Sequence, residues 1–327
     1  MITKLVLALS TFSLAGASQW PPIFDGLLPF ANESVILDTD DYAHIPHPFL
    51  PDHGARIKRV DWCDHTVNTY TGYFDLGARH LFFYFFESRC NLDTDDVVLF
   101  THGGPGCSSS LGLLFEHGPC RVTDAAAGPE PFAYSWNNAA NVLFLDQPVH
   151  TGFSYAEDGE EANTTEEAAV DVAKAVFLFF GAYMLLWTKE AFHIAGISYG
   201  GRYVPIFASA IHDQNPALIS REQTPINLNS IILGNGNTDM NALRQGSYEL
   251  VCTSKASTEL VIPIMDCVPM KQEVKECRRQ MTEFCEDRFD LEPCKAAFDR
   301  CDQAVMGPLL KTGLTANEET IDHDAHG

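Results

Sequence analysis

The stretch that decides the fold reads Phe192-His-Ile-Ala-Gly196-Ile-Ser198-Tyr-Gly200-Gly-Arg-Tyr-Val-Pro205. Four residues able to form a buried strand lead into a G-x-S-x-G turn, and an apolar segment able to form a helix follows. Gly196 and Gly200 lack a Cβ atom, so the chain can turn sharply and raise the Ser198 hydroxyl above a sheet edge. A bare G-x-S-x-G also occurs by chance. The flanking strand and helix are therefore what predict a nucleophilic serine at Ser198.

A second glycine-rich segment, His102-Gly-Gly-Pro-Gly106, follows a short buried strand predicted over 97–100. Hydrolases with a strand–turn–helix nucleophile place an oxyanion loop at such a position. Its backbone N–H groups must approach a substrate carbonyl closely, which only glycine allows. We expect the N–H groups of Gly104 and Tyr199 to form a two-donor oxyanion hole. A plain glycine turn is the alternative for this loop taken alone.

Composition and charge limit the class of protein. Of the 327 residues, 46% are hydrophobic and 20% charged, values that are ordinary for a globular protein. Asp and Glu number 44 against 21 Lys and Arg, a formal net charge of -23. Such a surface repels nucleic acid and suits a protein that works in an acidic compartment. We expect no nucleic-acid partner. No zinc, P-loop or dinucleotide motif is present, so we expect no metal and no cofactor.

The N-terminus and the cysteines indicate the secretory pathway. Residues 1–17 combine a basic residue, an apolar run and a small-residue cleavage site, which predicts a signal peptide; a buried helix is the alternative. All ten cysteines follow this segment, and an even number in a secreted chain favours disulfides of unknown pairing. Free buried thiols are the alternative for Cys107 and Cys120. Sequons at Asn32 and Asn163 predict glycan acceptors, although each could be unused.

The chain beyond the signal peptide divides into four predicted segments. Residues 18–60 are rich in Pro and Asp without a sustained period and predict an extended lead-in. Residues 61–237 are predicted to form an α/β core, in which alternating strand and helix patterns over 97–234 indicate a mostly parallel sheet with helices on both faces. Residues 238–310 hold six of the ten cysteines at helix-like spacing, which predicts a disulfide-tied helical cap insertion. We expect the polar, acidic tail at 311–327 to be disordered.

Local patterns predict a hairpin and a long helix within the core. Two strand-like runs, 70–74 and 81–86, are separated by a short turn. Thr164 followed by Glu167 forms a capping box, which predicts the start of a helix. Its continuation over 175–187 has 13 apolar residues, too few to span a bilayer. We therefore expect a core helix and no membrane span.

Six ordered motifs resemble those of one enzyme family. They are Gly103-Gly-Pro-Gly-Cys107-Ser-Ser109, Glu116-His-Gly-Pro119, Trp136-Asn-Asn138, Asp146-Gln-Pro-Val149, Gly152-Phe-Ser-Tyr155 and Ser198-Tyr-Gly-Gly-Arg-Tyr-Val-Pro205. Together they resemble the secreted and vacuolar serine carboxypeptidases, most nearly the fungal ones, over residues 60–312. The resemblance implies an α/β-hydrolase core with an inserted helical cap. It also implies removal of C-terminal residues from peptides or proteins at acid pH through an acyl-enzyme on Ser198.

Three positions depart from the family pattern. The resemblance implies that an Asn before the Gly-Gly pair and a Glu before the nucleophile recognise the substrate's carboxylate; here these positions hold His102 and Ile197. Glu116 matches the partner of that missing Glu and is expected to be unpaired. We expect His102, Gly103 and Glu116 to bind substrate, with a protonated His102 attracting the carboxylate; a loop histidine without a ligand is the alternative. A histidine at position 150 replaces a Gly and either narrows the site or is a surface change.

The chain also stops early relative to the family. In this fold the triad runs Ser, Asp, His, and the resemblance implies that the last two lie downstream of the cap. We therefore expect both partners, and the C-terminal part of the core, to be missing. The tail residues Asp322, His323, Asp324 and His326 lack flanking strands, and His193 is expected to be a core residue. Without a base, Ser198 is a poor nucleophile.

Three functions remain open at this point. The first is a serine carboxypeptidase. The second is a catalytically inactive secreted glycoprotein that binds peptides, which the missing triad partners favour. The third is an esterase or aminopeptidase, since His-Gly-Gly-Pro-Gly also resembles the oxyanion loops of those enzymes. The oligomeric state is left open.

Overall fold

The computed structural model describes residues 42–47, 51–124, 126–182, 191–220, 224–253 and 262–311. The predicted signal peptide, the sequon at Asn32, the end of the long helix over 183–187 and the tail beyond Lys311 lie outside the described residues. The chain forms two compact units, Met1–Gly236 and Asn237–Gly327. No helix in the described ranges has both the length and the apolar character needed to cross a membrane.

The first unit is built on a mixed β-sheet. Its strands are β1 (Ala43–Pro46), β2 (His53–Val60), β3 (Thr69–Leu76), β4 (Arg79–Phe86), β5 (Val97–Thr101), β6 (Cys120–Val122), β7 (Pro129–Pro131), β8 (Asn141–Leu145), β9 (Tyr155–Ala156), β10 (Phe192–Ile197) and β11 (Leu228–Gly234). The main sheet has the order β1-β2-β3-β4-β8-β5-β10-β11, with β9 beside β4 and with β6 and β7 paired separately. Strands β8, β5, β10 and β11 are parallel, as predicted, and β1 to β4 are antiparallel.

Strands β5 and β8 are covered on both faces, which explains their continuous apolar sequences. Every residue of β5 and β8 is buried. Alternate residues point to opposite faces, so Val97 and Leu99 join one cluster while Val98 and Phe100 join another. The first cluster also holds the apolar faces of two helices, α1 (Thr165–Ala182) and α2 (Gly200–His212). A short helix, α3 (Asn215–Ser220), follows α2.

The predicted hairpin and helix start are confirmed. Strands β3 and β4 pair in antiparallel register from Thr69 opposite Phe86 to Leu76 opposite Arg79. At the start of α1, the Glu167 N–H donates to Thr164 Oγ1 over 3.1 Å. This hydrogen bond satisfies one of the N–H groups that have no partner within the helix.

The predicted lead-in over 18–60 is corrected at its C-terminal end. Residues 43–60 contain β1 and β2, which pair with each other and extend the main sheet. In β2, Ala55 and Ile57 are buried in the same cluster as α1. The alternation of apolar and polar residues in β2 is only a few residues long and follows Pro51 and Asp52, so it does not stand out in the sequence. The sheet unit therefore begins before residue 61.

The second unit is helical and disulfide-bonded. Its helices are α4 (Met240–Cys252), α5 (Ile264–Met281), α6 (Leu291–Cys301) and α7 (Gly307–Leu310). Its six cysteines pair among themselves, as Cys252–Cys267, Cys277–Cys301 and Cys285–Cys294. This confirms a disulfide-tied helical segment, whereas its role as a cap stays a prediction.

In the sheet unit, Cys63 pairs with Cys120, and Cys90 and Cys107 have free thiols. The structure thus decides between the alternatives for Cys107 and Cys120. Cys120 is in a disulfide, and Cys107 is a half-buried thiol.

Candidate active site

Ser198 lies on the sharp turn between β10 and α2. Its φ angle of 57° is in the left-handed region, which L-residues rarely adopt without a structural or functional reason. The Ser198 N–H donates to Gly234 O at the end of β11, over 2.9 Å, so the neighbouring strand fixes the turn. The side chain is half-buried. Ser198 therefore has the strained, partly accessible position that a nucleophile elbow requires.

The two glycines that flank Ser198 have different roles. A Cβ atom added at Gly196 would lie 2.7 Å from Val204 Cγ2 and 3.1 Å from Gly200 Cα. One added at Gly200 would meet nothing closer than Thr101 O, at 3.9 Å. The close approach of strand and helix therefore requires glycine at 196. The expectation that Gly200 is also needed for space is not supported by its surroundings.

The glycine loop after β5 packs directly against the elbow. A Cβ atom added at Gly103 would lie 2.5 Å from both Ile197 O and Tyr199 N. The next residue, Gly104, has a φ angle of 107°, which L side chains rarely adopt. The structure thus brings the backbones of Gly103, Gly104 and Tyr199 together beside Ser198. That two of their N–H groups form an oxyanion hole, and that Gly103 contacts substrate, stay predictions.

Asp146, at the end of β8, fastens the glycine loop to the sheet. Its Oδ1 accepts hydrogen bonds from Ser108 Oγ at 2.7 Å and Ser109 N at 2.8 Å, and its Oδ2 accepts one from Phe153 N at 3.1 Å. Burial raises the pKa of the Asp146 carboxyl, and these donors oppose that shift. This role of Asp146 was not predicted from the sequence. The signal available was an acidic residue directly after a buried strand.

His102 pairs with Glu116, so the expectation that Glu116 is unpaired is wrong. His102 Nε2 lies 3.5 Å from Glu116 Oε1, and His117 Nδ1 lies 3.7 Å from Glu116 Oε2. The hydrogen bond from His102 is the main reason that the pKa of the Glu116 carboxyl is lowered. His102, at the position where the resemblance implies an Asn, is thus the partner of Glu116, for which the resemblance implies a Glu at position 197.

The second imidazole of this cluster, His117, is packed among aromatic rings. Its ring centroid lies 3.9 Å from that of Trp136 and 4.2 Å from that of Phe100. Burial lowers the pKa of His117 to about 4. His117 is therefore neutral above that pH. No role for His117 was predicted from the sequence, because nothing in the neighbouring residues distinguishes it from a loop histidine.

Ile197 completes this cluster from the neighbouring strand. Strands β5 and β10 pair in parallel up to Thr101 opposite Gly196, and His102 and Ile197 are the residues that follow this last pair along the two chains. Ile197 packs on the cluster that contains Phe100, which places it on the same sheet face. We call the set His102, Glu116, His117 and Ile197 the histidine corner.

A complete triad is not assembled within the described residues. There, the Ser198 hydroxyl has no hydrogen-bond partner, and no three His, Cys, Asp or Glu side chains are placed to hold a metal ion. His193 lies near the opposite end of β10, where its ring nitrogens face Ser230 Oγ at 2.7 Å and Asp96 Oδ2 at 3.2 Å. The acidic and histidine residues of the tail lie outside the described ranges.

His150 is exposed and has a φ angle of 69°. The left-handed backbone explains why Gly suits this position. The exposure of the side chain favours the interpretation of a surface change.

The chain is similar in sequence to proteins of known class. The serine carboxypeptidase family model matches residues 62–320. A carboxypeptidase Y homolog A from Pyricularia oryzae is 39% identical over 269 residues, which are 81% of this chain and 46% of that protein. A vacuolar serine-type carboxypeptidase from Saccharomyces cerevisiae is 38% identical over 267 residues, 80% of this chain and 50% of that protein. The chain spans about half the length of the curated relatives it matches.

In fold, the chain resembles the crystal structure of a prohormone-processing carboxypeptidase from Saccharomyces cerevisiae. The TM-score is 0.55 at 23% identity, over 73% of this chain and 53% of that one. An identity this low shows the fold alone, which is α/β-hydrolase-like, as predicted. The family model covers most of the chain, including all six ordered motifs. The chain belongs to the serine carboxypeptidase family.

Proposed function

We propose that this protein is a serine carboxypeptidase that releases C-terminal residues from peptides and proteins through an acyl-enzyme on Ser198. One observation carries the proposal: Ser198 sits at a left-handed φ angle on the strand–helix turn, with the backbone of Gly103 packed against Tyr199 N. This arrangement puts a hydroxyl beside main-chain donors at the carboxyl end of a parallel sheet, where such enzymes bind substrate.

Each residue has a role in this proposal. Ser198 Oγ attacks the scissile carbonyl, and the N–H groups of Gly104 and Tyr199 stabilise the oxyanion that forms. Asp146 holds the glycine loop in place through Ser108 and Ser109. His102, Gly103 and Glu116 border the substrate on the side of the departing residue. The general base must come from a residue outside the described ranges, because no imidazole in them reaches Ser198 Oγ.

Labelling with a fluorophosphonate probe tests the nucleophile. We expect one covalent adduct, located on Ser198 by mass spectrometry and absent from Ser198→Ala. Release of the last residue from an N-blocked peptide, but not of the first residue from an unblocked one, tests the direction of cleavage. Absence of the adduct from the folded protein would contradict the proposal.

The second candidate is a peptide-binding protein without turnover. It is favoured by the Ser198 hydroxyl, which has no hydrogen-bond partner among the described residues. Removal of a triad member leaves only about 10³–10⁴ of rate enhancement over water. Measurable peptide affinity together with neither labelling nor hydrolysis would select this candidate over the first.

The proposed setting is the secretory pathway, as a secreted or vacuolar glycoprotein. Four disulfides within the described residues suit an oxidising compartment. Asn163 is exposed directly before α1, so a glycan could be attached without rearrangement. Loss of mass from the secreted protein on treatment with an N-glycosidase, and a smaller loss for Asn163→Gln, would support this setting. An unchanged mass would contradict glycosylation at Asn32 and Asn163 alike.

A further inference from the structure

The ring nitrogens of the histidine corner are not available to a ligand. His102 Nε2 and His117 Nδ1 face the two oxygens of Glu116. The remaining nitrogens, His102 Nδ1 and His117 Nε2, are buried without a hydrogen-bond partner in the described part of the chain. Neither imidazole therefore offers a free N–H toward a substrate beside Ser198. This differs from the direct carboxylate contact expected for His102 from the sequence.

Above about pH 4, the net charge of the corner is not positive while Glu116 is ionised. The hydrogen bond and charge of His102 favour the ionised carboxylate, and burial keeps His117 neutral above about pH 4. A neutral His102 leaves a net charge of minus one, and a protonated His102 only brings that charge to zero. The corner therefore has no excess positive charge with which to attract a second carboxylate.

One arginine, Arg121, binds the main chain of Glu116 rather than its carboxylate. Arg121 Nη2 donates to the main-chain oxygen of Glu116 at 2.7 Å, and its guanidinium carbon lies 3.8 Å from the centre of the Phe132 ring. The guanidinium is thus held by a carbonyl and an aromatic face. His102 and His117 are the charged or titratable groups that act on the Glu116 carboxylate.

Ile197 adds an apolar surface next to His102, directly before the nucleophile. A carboxylate that entered here would lose water, gain no imidazole donor and lie beside the Glu116 carboxylate, which is unfavourable. An uncharged ester or carboxamide loses much less on desolvation. The apolar surface of Ile197 and the charge of the corner therefore both favour an uncharged ester or carboxamide over a carboxylate.

We propose that the histidine corner selects substrates whose departing part ends in an uncharged group, an ester or a carboxamide, over those that end in a free carboxylate. This rests on the proposed function, since it concerns the leaving-group side of the Ser198 site. The bond between Ser198 Oγ and the acyl carbon forms as the peptide bond to the departing amine breaks. The departing group takes up the proton lost by Ser198, and water then releases the acyl part as an acid.

Binding of a matched pair of ligands tests the inference without depending on turnover. The probes are N-acetyl-Phe-Leu as the free acid and as its carboxamide, titrated by calorimetry at pH 6 into the Ser198→Ala chain. We expect the carboxamide to bind at least about threefold more tightly. Glu116→Gln, which removes the negative charge and keeps the shape, should shift the ratio about tenfold toward the acid. His102→Gln should shift it toward the carboxamide.

The control variant is Glu130→Gln, which removes an exposed carboxylate from β7 and should leave the ratio unchanged. The inference would be overturned if the Ser198→Ala chain bound the acid more tightly than the carboxamide. It would also be overturned if Glu116→Gln and Glu130→Gln gave the same ratio of the two affinities. If Ser198→Ala binds neither probe while the fluorophosphonate still labels Ser198 in the unmodified chain, the inference is overturned and the proposed function stands. Binding of neither probe with no labelling would overturn both.

Discussion

At the carboxyl ends of β5 and β10, the elbow with its glycine loop is fixed by main-chain contacts, whereas the histidine corner beside it is fixed by side chains. The loop touches the elbow through main-chain atoms, so loss of glycine at Gly103 or Gly196 would disturb this contact directly. The corner depends on two imidazoles around the Glu116 carboxylate. The backbone geometry around Ser198 can thus stay the same while the side chains of the neighbouring histidine corner change.

A matched pair of alanine substitutions should break the main-chain half. In Gly103→Ala the new methyl carbon would lie 2.5 Å from two backbone atoms, whereas in Gly200→Ala it meets only an oxygen at 3.9 Å. We expect Gly103→Ala to lower the free energy of unfolding by roughly 3–5 kcal/mol and to abolish labelling of Ser198. Gly200→Ala should change the free energy by less than about 1 kcal/mol. Urea unfolding measures the free energy of both variants. Equal losses would contradict the conclusion that glycine is required at 103 but not at 200.

The pH dependence of stability should sharpen the side-chain half. The pKa of His117 is about 4 in the folded chain and has its ordinary value of 6.5 in the unfolded chain. The folded state therefore binds fewer protons between these values, so stability is lost as the pH falls from 6.5 to 4. The loss from this group is about 3 kcal/mol.

His117→Phe keeps an aromatic ring against Trp136 and removes the titrating group. On acidification, the free energy of unfolding should fall less in His117→Phe than in the parent chain. The difference between the two falls should be about 3 kcal/mol. Urea unfolding at pH 7 and pH 4 measures the difference. Parallel pH profiles for the two proteins would show that His117 does not titrate as its burial implies.

The smallest effect is expected at the surface of the loop that follows Asp146. His150 has a left-handed backbone that is unfavourable for a side chain, so His150→Gly should raise the free energy of unfolding by about 0.5–1 kcal/mol. The matched control is His212→Gly, at the end of α2 with an exposed side chain, which should lower it by about 1 kcal/mol. Thermal unfolding of both variants checks the opposite signs.

The main-chain half could be predicted from the sequence because its determinants are local. The order of strand, Gly196, Ser198 and helix is written in consecutive residues, and the glycine loop follows its strand directly. The pairing of His102 with Glu116 could not be predicted, because it joins residues 14 positions apart through a turn whose geometry depends on tertiary packing. The strand over 53–60 was missed for a related reason, since its partner β3 decides its pairing.

The cysteines of the helical unit have a consequence for where this polypeptide can be produced. They close rings with sequence separations of only 15, 24 and 9 residues, so partners meet without a long search through the chain. Short rings of this size restrict the unfolded chain by about 3 kcal/mol each. Their combined effect is comparable with the whole stability of a typical domain, about 5–15 kcal/mol. A host cytosol that keeps thiols reduced would remove that support, so recombinant preparation of this chain calls for an export route.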